Sequence, residues 1–180
     1  LKVNRNLLEQ VNDTREGQWP FAAVLSCIDS RTSAELVFDQ GLGDIFSIRI
    51  AGNFANQDIL GSMEFACNVA GSKLVVVLGH TKCGALKGGL DAPQIEGLGM
   101  DNLNHLIYHF EPCIHEVIKE GEERSSKNED LLERLNVCNI KSTINDIRHQ
   151  SSTLRNLEKE GKIMIVGANY DVETGVVTWL

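Results

Sequence analysis

Short apolar runs alternate with longer segments of helical periodicity along this chain. The run Phe21-Ala-Ala-Val-Leu-Ser-Cys27 is continuous, which is typical of a strand buried on both faces. β-Branched valines dominate residues 73–79 and favour a strand there over a helix. The apolar runs together predict five strands, at residues 21–27, 45–50, 73–79, 162–167 and 176–180. Glu173-Thr-Gly175 precedes the last run and suits a tight hairpin turn, so we expect that strand to be antiparallel.

Apolar residues spaced three and four apart predict helices between these strands. The first is a crossover helix at residues 60–70, and the second is one long helix at residues 103–118. The third covers residues 131–147 and follows Ser126-Lys-Asn-Glu129, a segment that looks like a capping box. Strands that alternate with helices predict an α/β fold. We expect a mainly parallel central β-sheet of four strands plus an antiparallel C-terminal edge strand, flanked by helices.

Two segments depart from this pattern of strands and helices. Residues 1–17 are polar apart from Leu7, Leu8 and Val11, whose spacing indicates a short helix, and we expect an N-terminal helical arm outside the main core. Residues 119–130 are rich in charge and predict a solvated connection. The pattern shows no boundary that would divide the chain, so residues 1–180 are expected to form a single domain with that arm.

Composition narrows the classes of partner. The hydrophobic fraction is 42% and the charged fraction is 23%, a balance typical of globular domains. The formal net charge is −8 without a basic cluster, which argues against nucleic-acid and anionic-membrane binding. No apolar run approaches the roughly 20 residues of a membrane span. No secretory leader is visible, which predicts a cytoplasmic protein, or a periplasmic one if a leader was removed.

Five cysteines are scattered along the chain, and this odd set is not typical of a disulfide framework. We therefore expect reduced thiols. Cys67, Cys113 and Cys138 lie in helical patterns and are expected to be small buried side chains. Cys27 and Cys83 instead follow predicted strands, so they are the candidates for chemistry.

Two segments with metal-binding side chains follow the first and third predicted strands. The first predicted strand ends in Cys27-Ile-Asp29-Ser-Arg31, and the third ends in His80-Thr-Lys-Cys83. Ligands of open α/β sheets bind at the carboxyl ends of the strands, so these segments are expected to meet. Two thiolates, an imidazole and a carboxylate form a tetrahedral zinc set. Asp29 has two possible partners: on zinc it closes the site, and on Arg31 it leaves a fourth position for water.

These residues resemble the motifs of the β-class carbonic anhydrases. The matching motifs are Cys27-x-Asp29-x-Arg31 and His80-x-x-Cys83-Gly84, and residues 20–53 and 167–175 also look like bacterial and cyanobacterial members. The resemblance covers nearly the whole chain. It implies one Zn²⁺ per chain and the reversible hydration of carbon dioxide to bicarbonate and a proton. It also implies that zinc-bound hydroxide attacks, oriented by Asp29 with Arg31, in a homodimer or dimer of dimers whose helical arms cross.

Further pocket residues follow only from the resemblance. It places Gln18 and Phe46 in the site of the partner subunit, where Phe46 forms an apolar wall for carbon dioxide. Ala51 and Gly52 occupy the positions of a small apolar pair. The backbone N–H of Gly84, next to the last ligand, is expected to help hold bicarbonate.

Three positions bear on the subtype. Phe65 stands where many members have a tyrosine in the substrate pocket, so that hydroxyl is missing. Val24 replaces the tryptophan of bicarbonate-inhibited members, although Arg49 is kept. The resemblance therefore implies the permanently active, plant-type site.

Two other functions remain open. Relatives with the same zinc ligands hydrolyse carbonyl sulfide or carbon disulfide, and the ligands alone do not discriminate between these substrates and carbon dioxide. A structural zinc protein without turnover would keep Asp29 as a permanent fourth ligand. Arg31 argues against that alternative, because a structural site has no need to draw the carboxylate away.

Overall fold

A computed structural model describes residues 6–92 and 99–180, and within these ranges five strands form one sheet of order β2-β1-β3-β4-β5. Neighbouring strands among the first four are parallel, and β5 is antiparallel to β4. The predicted sheet is therefore confirmed. The strands are β1 Ala22–Ser26, β2 Ile45–Arg49, β3 Leu74–His80, β4 Met164–Tyr170 and β5 Val177–Trp179.

Helices flank the sheet. They are α1 Leu7–Thr14, α2 Ala34–Val37, α3 Gln57–Glu64, α4 Gly84–Leu90, α5 Asp101–Ile107, α6 Glu111–Val117, α7 Glu129–Gln150 and α8 Ser152–Lys159. Helix α1 buries none of its residues, as expected of an arm, and residues 1–5 of that predicted arm lie outside the described residues. In the two described ranges, no helix combines the length and the apolar character that a membrane crossing requires.

The sheet is covered on both faces, which explains why its central strands are continuously apolar. Leu25 and Val77 face one core together with α7, and Val24 and Leu78 face a second core. Helix α7 packs directly against the strands, because Gly79 and Gly167 carry no side chain. A Cβ at either position would lie within 2.7 Å of Ile140. Every residue of β1 is buried as a result.

The predicted long helix at residues 103–118 is wrong, because the segment is broken into α5, a 3₁₀ turn at Tyr108–Phe110, and α6. Pro112 gives the physical reason. Proline has no N–H, and its ring clashes with the carbonyl four residues earlier, so it fits only in a first helical turn. Helix α6 therefore restarts at Glu111 with Pro112 in that turn. Ile107, Phe110 and Ile114 still share one buried face, as their spacing predicts.

Asparagine caps set the starts of three described helices, α1, α3 and α7. Helix α7 begins at Glu129, and the N-cap is Asn128, whose Oδ1 accepts a hydrogen bond from the N–H of Leu131 at 3.1 Å. The predicted capping box at Ser126 is therefore wrong, because the N–H of Ser126 is used elsewhere, by a carboxylate oxygen of Asp91. Helix α3 is the predicted crossover helix, and it starts at Gln57, after the N-cap Asn56, rather than at residue 60. A π-helical turn at Phe65–Val69 ends it.

The charge-rich connection at residues 119–130 is held by ion pairs. The guanidinium of Arg134 on α7 binds both carboxylate oxygens of Glu122, at 2.6 and 2.7 Å. Arg124 pairs with Glu111 and also donates to the backbone oxygens of Gly89 and Leu90 at the end of α4. The connection is thus fixed onto α4, α6 and α7.

Cys113 on α6 and Cys138 on α7 form a disulfide. The prediction of reduced thiols is wrong for these two residues, although both are buried as predicted. Packing of α6 against α7 brings their Cα atoms to 5.8 Å across a separation of 25 residues. Cys67 is buried and unpaired among the described residues, and burial raises the pKa of its thiol to about 11.

Replacing Glu122 with glutamine should destabilise the protein at neutral pH and much less in acid. The N–H of Lys119 and the guanidinium of Arg134 lower the pKa of Glu122 to about 2 in the folded chain. The folded pKa lies below the unfolded value of about 4.3. The stabilisation is therefore fully present above that value and is lost as the pH falls toward 2.

Urea unfolding of wild type and Glu122→Gln at neutral pH and at several acidic values measures this difference. The gap between their midpoints should narrow below pH ~4.3. Glu123→Gln, a change at the exposed neighbouring position, is the control. A gap that is independent of pH contradicts the assigned role of Glu122.

Candidate metal centre

The ends of β1 and β3 bring two cysteines and a histidine together. The donor atoms of Cys27, His80 and Cys83 all lie within 4.8 Å of one another. The two Sγ atoms are 3.9 Å apart, and all three residues are buried. Because β1 and β3 are parallel neighbours in register, their carboxyl ends stop at the same edge of the sheet. The structure thus brings the side chains of these three predicted site residues together at this edge.

These donors fit a zinc ion. Nδ1 of His80 donates a hydrogen bond to the backbone oxygen of Thr81 at 2.9 Å, which leaves the Nε2 lone pair available for a metal. That Nε2 is buried and has no hydrogen-bond partner among the described residues. Two sulfurs at ~2.3 Å from a tetrahedral zinc stand about 3.8 Å apart, close to the observed separation of Cys27 and Cys83.

The two thiols differ in acidity. The Sγ–Sγ hydrogen bond with Cys83 lowers the pKa of the Cys27 thiol, and His80 and the N–H of Gly52 act in the same direction. The same Sγ–Sγ hydrogen bond and burial raise the pKa of Cys83. This hydrogen bond thus favours the thiolate at Cys27 and the thiol at Cys83. Metal binding requires the thiolate form, so a divalent cation would release the remaining proton.

Asp29 lies beside this group and pairs with Arg31. Nε and Nη2 of Arg31 donate to the two carboxylate oxygens at 2.9 and 2.7 Å, and the Arg31 N–H donates to Oδ1 at 3.0 Å. These contacts hold the pKa of Asp29 well below its usual range. Of the two partners that the sequence left open, Asp29 has Arg31, and it stands outside the group of three donors.

Residues that the sequence analysis missed support the loop that follows β1. The hydroxyl of Thr32 donates to the backbone oxygen of Asp29 at 2.9 Å and lies 3.2 Å from that of Cys27. The guanidinium of Arg49 donates to the same two oxygens. A threonine placed after a strand end favours such turns, and this signal was available in the sequence.

The turn at residues 51–53 lies against Cys27. The N–H of Gly52 lies 3.4 Å from Cys27 Sγ, and Ala51 beside it is half-buried. Gly52 has φ +78°, and a Cβ there would overlap the ring of Phe110. Asn139, a buried residue of α7, donates to the Gly52 oxygen at 2.8 Å. Sequence analysis missed Asn139, although a polar residue within the apolar stripe of α7 was a usable signal.

The loop between His80 and Cys83 rests on the turn between β4 and β5. The N–H of Thr81 donates to the oxygen of Tyr170, and its hydroxyl oxygen accepts from the N–H of Val172, both at 3.0 Å. Lys82 takes a left-handed conformation, φ 57°, and pairs with Glu173. Sequence analysis missed this support, because the contacting residues are about 90 positions apart.

The remaining candidate residues lie at different distances from the donors. Gly84 directly follows Cys83 and is the first residue of α4. Gln18 is exposed on the loop between α1 and β1. Phe46 and Phe65 pack edge to face, with 6.1 Å between their ring centres. They line a surface groove that does not include Cys27, His80 or Cys83. Within one chain, the described residues thus place Gly84 and Gly52 next to the donors, and Phe46 and Phe65 in a separate groove.

Comparison with known proteins assigns this arrangement. A family model described as carbonic anhydrase matches residues 22–177. The solved structure of the β-carbonic anhydrase CcaA superposes with a TM-score of 0.82 at 26% identity, covering 98% of this chain and 85% of that one. The chain belongs to the β-class carbonic anhydrases. The family resemblance of the motifs and the assignment as an enzyme are therefore confirmed.

Two curated relatives of this β-carbonic anhydrase agree with the assignment. Carbonic anhydrase 2 of Mycobacterium tuberculosis is 33% identical over 159 residues, which is 88% of this chain and 73% of the relative. The carbonic anhydrase of Mycolicibacterium smegmatis is 32% identical over 170 residues, covering 94% and 79% of the two chains.

Gly52→Ala should weaken metal binding in this β-carbonic anhydrase. The new Cβ would overlap Phe110, and the left-handed φ is unfavourable for alanine, which together destabilise the fold by about 1–3 kcal/mol. Relief of that overlap moves the N–H of Gly52 away from Cys27. Chelator competition for zinc, with thermal unfolding of the same samples, measures both effects.

Gly61→Ala is the matched control for this substitution. Gly61 lies in α3, and a Cβ there meets no atom within 4 Å among the described residues. We expect it to stabilise the helix by about 0.5–1 kcal/mol and to leave zinc affinity unchanged. If Gly52→Ala retained wild-type zinc affinity, the turn would have no role in placing Cys27.

Proposed function

We propose that the chain catalyses the reversible hydration of carbon dioxide to bicarbonate and a proton, at one Zn²⁺ held by Cys27, His80 and Cys83. Membership of the β-class family supports the reaction. The observation that carries the proposal is the pairing of Asp29 with Arg31 rather than with the donor group. Three protein donors leave a fourth position, which distinguishes catalytic zinc sites from structural ones.

Asp29 orients the attacking oxygen in this proposal. Zinc, when bound, supplies the Lewis acidity that makes hydroxide available from water near neutral pH. Asp29 remains ionised because Arg31 holds its pKa low, so its carboxylate acts only as a hydrogen-bond acceptor. Oδ1 already accepts two hydrogen bonds from Arg31 and Oδ2 accepts one, so Oδ2 has a lone pair left. Oδ2 would accept a hydrogen bond from the hydroxide and thereby direct a lone pair of the hydroxide oxygen at carbon dioxide.

Small groups and a backbone donor form the substrate side of the pocket. Ala51 and Gly52 lie beside Cys27, and we expect them to form the small apolar part of the substrate pocket, as the family resemblance implies. The N–H of Gly84 begins a helix, where it has no intrahelical partner, and it is placed to bind an oxygen of bicarbonate. Carbonyl sulfide and carbon disulfide have similar shapes, and turnover of either in preference to carbon dioxide is an outcome of the kinetic test.

We further propose that a homodimer completes the pocket, either alone or within a dimer of dimers. The arm and its surroundings expose apolar side chains that a partner would cover: Leu8 is 75% exposed, Trp19 76% and Phe65 52%. Aromatic residues are enriched in the buried centres of interfaces. Gln18 is exposed and Phe46 lines a groove with Phe65, and we propose that all three enter the partner's site.

Removal of the Asp29 carboxylate should abolish most of the activity and leave the metal in place. Zinc-loaded wild type, Asp29→Ala and Arg31→Ala are compared by stopped-flow hydration of carbon dioxide across neutral and alkaline pH. We expect kcat/KM of Asp29→Ala to fall on the order of 10²-fold or more, because the positioned acceptor is lost. Zinc content, measured on the same samples, should stay at one per chain.

Glu160→Ala provides the matched control for this kinetic test. Glu160 and Lys162 form an exposed ion pair with the same two-residue spacing, and they lie outside the site. This variant should retain wild-type turnover. Wild type that holds one zinc per chain but hydrates no carbon dioxide at any pH contradicts the proposal. Carbonyl sulfide is then the next substrate to test, before a structural role for the metal.

Phe65→Glu should disrupt the dimer and lower activity together. A carboxylate in the centre of an apolar interface loses hydration without gaining a partner. Sedimentation velocity measures the assembly, and the hydration assay is run at the same protein concentrations. Met164→Glu, a change at a 61% exposed apolar position at the start of β4, is the control. An intact, fully active dimer of Phe65→Glu would exclude Phe65 from the interface.

A further inference from the structure

Arg49 joins two backbone oxygens that lie on either side of Ile28. Its Nε donates to the oxygen of Cys27 at 2.9 Å, and its Nη2 donates to the oxygen of Asp29 at 2.6 Å. Arg49 is the last residue of β2 and pairs in register with Ser26 of β1. A side chain of the neighbouring strand therefore holds the segment that carries both a metal donor and the carboxylate.

We infer that Arg49 is a positioning residue that fixes the Cys27–Asp29 backbone, so that the carboxylate of Asp29 stays on Arg31 and off the metal. The inference deepens the proposed function, on which it rests. Arg49 bonds to the backbone oxygen of Asp29, so the carboxylate itself remains available to Arg31.

Apart from Arg49, hydrogen bonds from Thr32 hold this segment. Ile28 is 61% exposed, so its side chain supplies no packing anchor within the described chain. Cys27 is tied to the sheet and to Gly52, whereas Asp29 two residues later depends on hydrogen bonds. Small rotations of the peptides at residues 28 and 29 would redirect the Asp29 side chain toward the adjacent donors.

Arginine suits this role because of its geometry. The guanidinium is planar and presents several N–H groups in a fixed fork, so it can bind two oxygens at once, and its charge strengthens both hydrogen bonds. Thr32 binds the same two oxygens with one O–H that they must share, and its N–H also donates to the oxygen of Asp29, whereas Arg49 gives each oxygen a donor of its own. Lysine keeps the charge without the fork, so Arg49→Lys should restore only part of the function.

Anion binding to the cobalt(II)-substituted protein reports whether the fourth position is open. Thiocyanate is titrated into wild type, Arg49→Gln, Arg49→Lys, Asp29→Ala and the double variant Arg49→Gln/Asp29→Ala, and the visible cobalt absorption is recorded. If loss of Arg49 leaves only a tenth of the molecules open, the apparent thiocyanate Kd rises about tenfold. Arg49→Lys should lie between wild type and Arg49→Gln.

The double variant separates positioning from general support of the fold. Without its carboxylate, residue 29 cannot occupy the metal, so Arg49→Gln should have no further effect on the thiocyanate Kd in the Asp29→Ala background. Arg155→Gln is the matched control, because Arg155 also donates to two backbone oxygens, those of Arg148 and His149, at the end of α7. Its thiocyanate Kd should equal that of wild type.

Two results would overturn the inference: wild-type thiocyanate affinity in Arg49→Gln, or an equal loss in both backgrounds. If thermal unfolding shows that Arg49→Gln does not fold, Arg49→Lys replaces it in the comparison of single and double variants. The same two results would then overturn the inference. Failure of the proposed function looks different. In that case wild type itself binds cobalt without responding to thiocyanate, and its zinc form hydrates no carbon dioxide.

Discussion

The parallel pairing of β1 with β3 is the constraint on which the rest of the site depends. Ser26 pairs with Leu78 in register, so both strands reach the same sheet edge, and the donors of Cys27, His80 and Cys83 meet directly beyond it. Their burial excludes the water that would otherwise solvate a thiolate. A buried thiolate is costly unless a cation or hydrogen-bond donors compensate it, and the proposed zinc ion answers that requirement.

The polar residues around the donors act mainly through the backbone. Thr32, Arg49 and Asn139 each donate to a backbone oxygen in a loop or turn next to Cys27. A flexible loop held in this way can present a carboxylate in one orientation. Asp29 therefore has a defined partner in Arg31, although the metal donors are close by. Competition between these two partners for one carboxylate separates an open site from a closed one.

Helix α7 connects the sheet, the donor loops and the helices above them. Ile140 packs on Gly79 and Gly167, Asn139 binds the turn at Gly52, and Cys138 is bonded to Cys113 of α6. The side chains of α7 that face the sheet lie close to the strands, because Gly79 and Gly167 carry no side chain in the way. One helix thus couples the packing of the core to the turn beside Cys27.

Local patterns in the sequence determined the strands, helices α1, α3 and α7, and the two donor motifs, because periodicity and β-branching act between near neighbours. Helices α2, α4 and α8 were not predicted. The break at Pro112 and the cap at Asn128 were also local signals, but apolar spacing outweighed them in the sequence analysis. Tertiary structure alone decided the rest. The Cys113–Cys138 bond depends on how α6 packs on α7, and the contacts of Arg49 depend on the register of β2 against β1. The sequence allowed Asp29 either partner, and the hydrogen bonds that fix its loop come from residues distant in the chain, so only the folded structure selects Arg31.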